Sequence, residues 1–247
     1  MPPRVRLDTL IVERGLVKTR TRARALVLAG QVSVNGEVVA KAGTPTPLDA
    51  ILTLASPDHP YVGRGGIKLA HALDFFDIDP SDRAALDIGA STGGFTDVLI
   101  RRGAERVVAL DVGHNQLAWK LRQHPRVTTL EGLNARALQA DMLPVDCRQF
   151  DIITIDVAFI SVTLIIDRFP PLLRPGADVV ALVKPQFEAG RSEVGKKGVV
   201  TDPSVHERVV EEVAATADRI GLKRIGMTRS PINGAEGNHE FFLHFRI

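Results

Sequence analysis

The chain is poor in sulphur and in aromatic residues: of 247 residues one is cysteine, three are methionine, and tryptophan and tyrosine occur once each. With Cys147 as the single thiol, an intrachain disulfide and a cysteine-based zinc site are both excluded. Long apolar runs are missing too. Those present, as at residues 179–183, are strand-sized and end in charge or proline, far short of the roughly 20 residues that a membrane helix needs. The opening MPPRVRLDTLIVERG lacks the apolar stretch and small-residue cleavage site of a secretion signal, so a cytoplasmic location is expected. The seven histidines show no close ligand spacing, and no metal is expected.

What is present is an ordinary globular composition, 45% hydrophobic and 24% charged, long enough for an α/β core and a small second domain. The net charge of +2 is unevenly spread: Arg4, Arg6, Arg14, Lys18, Arg20, Arg22 and Arg24 face only Asp8 and Glu13 near the start. A basic end on a nearly neutral chain points to a polyanionic partner. The alternative is the solvated face of a helix.

Residues 1–58 read as a compact α+β unit. Leu7, Leu10 and Ile11 give a short helical pattern ending near Gly15, and Thr19 or Thr21 caps a second helix that runs through Leu28 to a stop at Gly30. Alternating Val32 and Val34, the dipeptide Asn35-Gly36, and Val38 with Val39 predict a hairpin, with a further strand in TPTPLDAILTL. Residues 59–66, rich in proline and glycine, read as a linker, and 67–247 as an α/β domain. After a helix from Ile67, strands are expected over 85–88, 107–111, 127–130, 152–156, 179–183, 224–229 and 240–246. Helices are expected over 94–102, 116–122, 162–173 and from Asp202-Pro203 to about Ile220. That alternation predicts a mostly parallel sheet with an antiparallel edge and a ligand at the carboxyl ends of its strands.

The stretch LDIGASTGGFTDVLIRRGAERVVALDVG, residues 86–113, resembles a nucleotide-binding strand, turn, helix and strand. A dinucleotide fingerprint needs a middle glycine so that backbone can touch pyrophosphate. Here Ala90 and Ser91 follow Gly89, and the next glycines are Gly93 and Gly94. The pattern D-x-G-x-x-x-G from Asp87 instead resembles the first motif of class I methyltransferases, Rossmann-like folds that bind S-adenosylmethionine, a sulfonium cation without phosphate. Gly89, Ser91, Gly93 and Gly94 become candidate cofactor residues. Phe95 either lines the pocket or packs in the core. Asp111, 22 residues after Gly89, accepts hydrogen bonds from ribose hydroxyls or caps the next helix. Asn134 meets the adenine or shapes its loop.

The first unit, with RARALVLAGQVSVNGEVV at its centre, is similar to the S4 RNA-binding domain. Most of the chain resembles the TlyA family, S4-domain ribosomal RNA methyltransferases with an FtsJ-like catalytic domain. The resemblance rests on GRGGIKL (63–69), LDIGASTGGFTDVL (86–99), DVGHNQLAW (111–119), LNAR (133–136), DVAFIS (156–161), LVKPQFE (182–188) and NHEFFL (238–243), with Ala158 where the family has serine. It implies methyl transfer from S-adenosylmethionine to a ribose 2'-hydroxyl of ribosomal RNA, on cytidine, with rRNA or a ribosomal subunit as partner. Arg4, Arg6, Lys18, Arg20, Arg22, Arg24 and Arg64 would then meet RNA. The family's K-D-K-E tetrad falls on Lys68, Asp156, Lys184 and Glu240, and Asp156 also borders the cofactor.

These types suit the chemistry. A weakly acidic O–H must lose its proton as the oxygen attacks, and a lysine made neutral by burial and a second lysine nearby can take it. Lys184 is assigned that role, Lys68 and Asp156 tune it and orient the hydroxyl, and Glu240 holds the lysines. The glycine- and lysine-rich segment 188–200 closes on cofactor or RNA, or is a solvated loop. Rival readings are a membrane-active haemolysin, a label the family has carried; a non-catalytic RNA binder with a vestigial cofactor fold; and a base methyltransferase, which would show an Asn-Pro-Pro type loop in place of DVAFIS. Absence of a membrane span, signal or isolated amphipathic helix speaks against the first.

Overall fold

The computed structural model describes the chain apart from residues 1, 2, 18, 29, 55–58 and 146 and the side chain of residue 235. Lys18 and the 55–58 stretch before the expected linker lie outside the described residues. The chain divides into two compact units, Met1–Pro60 and Tyr61–Ile247.

In the first unit β1 (Arg4–Arg6) runs into α1 (Leu7–Glu13), followed by α2 (Arg20–Leu28), β2 (Val32–Val34), β3 (Glu37–Val38), β4 (Pro45–Pro47) and β5 (Leu52–Leu54). Leu7 and Ile11 of α1, four apart on one face, pack with Ala23, Val27 and Val32. Thr19 Oγ1 accepts from Arg22 N at 3.2 Å and caps α2. Asn35 and Gly36 both take positive φ, 52° and 87°, as the predicted hairpin turn requires. The pattern gives no sign of β1, which pairs antiparallel with proline-bearing β4.

The second unit comprises α3 (Gly65–Phe75), β6 (Ala84–Ile88), α4 (Gly94–Arg101), β7 (Arg106–Asp111), α5 (Trp119–Arg122), β8 (Val127–Glu131), β9 (Phe150–Ile155), β10 (Leu173–Val183), α6 (Pro185–Glu188), α7 (Pro203–Arg219), β11 (Lys223–Arg229) and β12 (Phe241–Arg246). Its seven strands are ordered β11-β12-β10-β9-β6-β7-β8, and only β12 runs against its neighbours. This is the mostly parallel class I methyltransferase sheet expected, with the antiparallel pair closing one side. From β6 the chain winds outward through β7 and β8, then crosses back to β9 and β10. The order reverses between β6 and β9, which opens a crevice at their carboxyl ends.

Two helices differ from expectation. Residues 162–173 form three short 3₁₀ turns, 162–164, 166–168 and 170–172, instead of one helix. Branched Val162, Thr163, Ile165 and Ile166 lose rotamer freedom in a helix, and Pro170-Pro171 supply no amide protons. Helix α5 starts only at Trp119 because the residues before it serve the glycine turn: Leu117 packs on Gly93, and Ala118 N donates to Thr92 O at 3.1 Å.

At the amino end of the sheet, buried Asp178 of β10 accepts from His244 (2.8 Å), Arg83 (2.8 Å) and Arg246 (2.9 Å). Burial pushes its carboxyl up, but these bonds outweigh burial and hold it well below the usual carboxylate range. A carboxyl lowered on folding adds stability that is complete above its unfolded value, about 3.9, and is lost as pH falls toward the folded one. Asp178→Asn should cost about 2 kcal/mol at pH 7, with a smaller deficit at pH 3. Urea unfolding at both values measures this, and an equal deficit would contradict the linkage.

Candidate active site

From Ile88 the chain turns at once through Gly89 (φ +82) and Ser91 (φ +48) toward α4. Gly89 has to lack a side chain, because a Cβ would collide with the Asp156 carbonyl oxygen. Asp156 N donates to Ile88 O at 2.9 Å, so the ends of β6 and β9 meet backbone to backbone. Gly94 also makes close approach possible: its Cβ would come 3.0 Å from Gly66 N and 3.1 Å from Gly65 Cα. The GRGG turn that opens α3 thus lies against the start of α4, and Asp97 ties it down by accepting from Val62 N at 2.9 Å.

Beside this turn is a cavity of about 800 Å³ bordered by Gly89, Ser91, Asp111, Asn134 and Asp156. Asp111 Oδ2 accepts from Ser91 N and Oδ1 from Gly113 N, both at 2.7 Å. Each oxygen keeps a second lone pair, so the carboxylate is fixed and can still accept from a diol. Asn134 shapes its loop, its Oδ1 accepting from Arg136 N at 3.0 Å to cap a 3₁₀ turn, and the residue borders the cavity. Phe95 does not line the cavity. It is 3% exposed, packed between Gly65 and Phe242, because the hydrophobic face of α4 points into the core. Gly93 likewise packs against Leu117 and Leu121, so it and Gly94 shape the turn from behind.

Lys68 lies in α3, Asp156 follows β9, Lys184 follows β10 and Glu240 precedes β12. The antiparallel register pairs Val183 with Phe241, so β12 begins at the edge where its parallel neighbours end. Glu240 is thereby delivered to the carboxyl edge by the start of a strand. Lys68 Nζ lies 2.5 Å from Glu240 Oε2, and Lys184 Nζ lies 2.5 Å from Asp156 Oδ1. Side-chain exposures of 12%, 2%, 12% and 21% for Lys68, Glu240, Lys184 and Asp156 put both pairs largely out of solvent. The second contact is an ion pair off hydrogen-bonding angle, leaving the buried Asp156 Oδ1 with a charge partner and no directed donor. Gly234 leaves room for Glu240, whose carboxylate would clash with a Cβ there. Glu240 meets Lys68 and Asp156 meets Lys184, where the sequence suggested that one carboxylate holds both lysines.

The sequence named Asp87 only as the start of the glycine motif and gave Glu188 no role of its own. Asp87, fully buried beneath the turn, accepts from Thr96 Oγ1 (2.6 Å) and Thr154 Oγ1 (3.0 Å). Burial pushes its carboxyl up to about 7 against the pull of those hydroxyls, and the Asp156 charge adds to the rise. Glu188 ends α6; burial raises it too, while Ser161 Oγ and Val162 N (2.8 Å) donate to it. Its one carboxylate ties the segment after Lys184 to the segment after Asp156. A partner 26 residues away leaves no local pattern, although the cap-like Ser161 is half of the pair.

Of the predicted RNA contacts, Arg4, Arg22 and Arg24 are exposed. Arg6 (2.9 Å) and Arg20 (3.2 Å) converge on buried Asp8. The Arg6 guanidinium, assisted by Arg20, holds the Asp8 carboxyl well below the usual range. Arg64, in the second unit, donates to Asn233 O at 3.1 Å. The 188–200 segment is tied at several points: Glu193 binds Arg208 at 2.6 Å, and Asn238 accepts from Val200 N (3.1 Å) and donates to Gly198 O (2.8 Å). Among the described residues, no helix is long and apolar enough to cross a membrane.

The FtsJ-like methyltransferase family matches residues 61–247, and the S4 domain matches residues 5–46. The chain is 42% identical to the 16S/23S rRNA (cytidine-2'-O)-methyltransferase TlyA of Mycobacterium tuberculosis, over 100% of this chain and 91% of that one. It is 47% identical to YqxC of Bacillus subtilis, named as a candidate rRNA methyltransferase, over 97% of this chain and 84% of that one. A solved structure from Streptococcus thermophilus that bears the hemolysin label shares 44% identity and a TM-score of 0.77, covering 100% of this chain and 89% of that chain. By these matches over nearly its whole length, the chain belongs to the FtsJ-like methyltransferases, in the TlyA group that carries an S4 domain ahead of the catalytic unit.

Proposed function

We propose that this protein methylates a ribose 2'-hydroxyl of ribosomal RNA, on cytidine, in the cytoplasm. Residues 1–58 dock the RNA, and the transfer is carried out by the unit from Tyr61, which includes Gly63 to Gly66 that had read as linker. The observation that carries the reading is the Lys184–Asp156 ion pair beside a cavity that Asp111 also borders.

The donor set suits S-adenosylmethionine. Asp111 would accept from its ribose hydroxyls and Asn134 would face its adenine. Asp156 would favour its positive sulfonium once Lys184 has lost its proton, since a carboxylate attracts a cation strongly where water is scarce. Gly89 borders the cavity and lets the Asp156 backbone close in beside it, which keeps the Asp156 carboxylate at the cavity wall. When bound, the cofactor supplies a methyl group that leaves sulfur, with the bonding pair staying on sulfur, as the ribose oxygen bonds to it.

The chain's own groups handle the proton. Lys184, paired as an ammonium with Asp156 at rest, would first give a proton to solvent; the amine then takes the hydroxyl proton as the oxygen attacks, which restores the ammonium beside the Asp156 carboxylate. Lys68, fixed by Glu240, provides a second cation near the attacking oxygen. Glu188 keeps the Lys184 and Asp156 segments in register.

The first test is transfer of labelled methyl from S-adenosylmethionine to ribosomal subunits that lack the modification. Wild type should place label on a ribose oxygen, and Lys184→Ala should be slower by roughly 10²- to 10⁴-fold while binding the cofactor normally. No transfer by wild type, or equal transfer by the variant, would sink the mechanism. Asp111→Asn should weaken S-adenosylhomocysteine binding about tenfold, or about 1.4 kcal/mol, by calorimetry; unchanged affinity would remove Asp111 from the cofactor site. Glu188→Ala should slow transfer about tenfold, the cost typical of losing a support that orients reacting groups. Glu188→Gln, which can still accept from Val162 N, should recover most of it. Equal rates for Ala, Gln and wild type would leave Glu188 without a positioning role.

A further inference from the structure

A second depression, of about 490 Å³, lies at the amino edge of the sheet, the end away from the cofactor cavity. Three arginines line it, from three segments: Arg106 opens β7, Arg148 precedes β9, and Arg174 is the second residue of β10. The Gln149 amide joins them. Arg174 has a carboxylate partner, Asp151 at 2.7 Å. Among the described residues, Arg106 and Arg148 have none. Arg106 Nε is also shut from solvent without a hydrogen-bond acceptor.

Such a guanidinium carries a charge that no carboxylate among the described residues compensates, and its terminal nitrogens can give that charge to an oxyanion in the groove. The depression is open rather than enclosed, and its apolar lining is limited to Ala140, Val145 and Pro171. An open basic groove suits one stretch of a polymer's phosphate backbone better than a small metabolite, which needs walls on most sides. Strands of five or six residues at about 3.3 Å each put this groove roughly 17–20 Å from the reacting edge. A structured RNA spans such a distance with its own helices.

We propose that Arg106, Arg148 and Arg174 form a second RNA phosphate-binding site, which grips the substrate at the edge of the sheet opposite the chemistry. This rests on the RNA methyltransferase reading, with a separable test. Binding of an in vitro ribosomal RNA transcript is measured across salt concentrations for the full-length wild type, an Arg106→Gln/Arg148→Gln variant and Arg148→Glu. Each lost phosphate contact should lower the slope of log affinity against log salt by about 0.7–0.9, so the double variant should lose roughly 1.4–1.8. Arg148 is exposed, so Arg148→Glu keeps the test open if replacing Arg106 lowers stability; its slope should fall by about 1 or more. Methyl transfer at saturating RNA should stay at the wild-type rate.

Unchanged slopes in both variants would overturn the site. Unchanged slopes together with thermal stabilisation of wild type alone by millimolar inorganic phosphate would replace it with a small-anion site. If wild type binds RNA with the predicted slope difference but transfers no methyl, the enzymatic reading fails and this site stands.

Discussion

Two lysines can share one edge of a sheet, largely out of water, only if each has its own carboxylate. Removing one partner from a buried pair leaves a charge that costs about 3–5 kcal/mol, and the catalytic unit is arranged around avoiding that. Lys68 is answered by Glu240 and Lys184 by Asp156. The first match needs β12 to run against its neighbours, so that a residue preceding a strand reaches the edge where other strands finish. It also needs an empty place at Gly234. The second needs the segments after β9 and β10 to be held together, which the Glu188 carboxylate does with Ser161 and Val162.

Around these pairs, space is made by missing side chains. Gly89 lets β6 meet β9 backbone to backbone, and Gly94 meets Gly65 and Gly66 across the starts of two helices. The same contacts push the bulky groups outward: Phe95 goes to the core, and Leu117 and Leu121 close over Gly93. What remains beside the turn is the cavity, with the Asp111 carboxylate braced by two backbone amides. The site's walls are thus braced by the protein's own contacts, as a site that must aim a hydroxyl at a methyl carbon requires.

Much of this was legible in the residues. Branched and apolar runs bounded by glycine or charge marked the strands of the sheet, and Asp202-Pro203 marked the start of α7, where Asp202 accepts from Ser204 N at 2.9 Å. The glycine spacing after Asp87 correctly spoke against a dinucleotide turn. What could not be read were pairings over long separations and elements whose local preferences are weak. Residues 162–173 have the apolar content of a helix but the branching and prolines of an irregular segment. Strand β1 is three residues long and exists only because β4 is beside it. The four charged residues were named by resemblance, but which lysine lies beside which acid depends on register, and register is a property of the folded sheet.

The Lys68–Glu240 contact joins residues 172 positions apart, and β12 sits inside the sheet between β10 and β11, which both precede it in the chain. During synthesis from the amino end, the sheet can begin to form as its early strands emerge, but a gap stays between β10 and β11 until β12 arrives. Contacts of such long sequence separation also form slowly. A nascent or truncated chain that reaches only to β11 would carry the glycine turn and both lysines, with Lys68 lacking its counter-ion. The Lys68–Glu240 pair thus waits on β12, the strand that closes the sheet between β10 and β11.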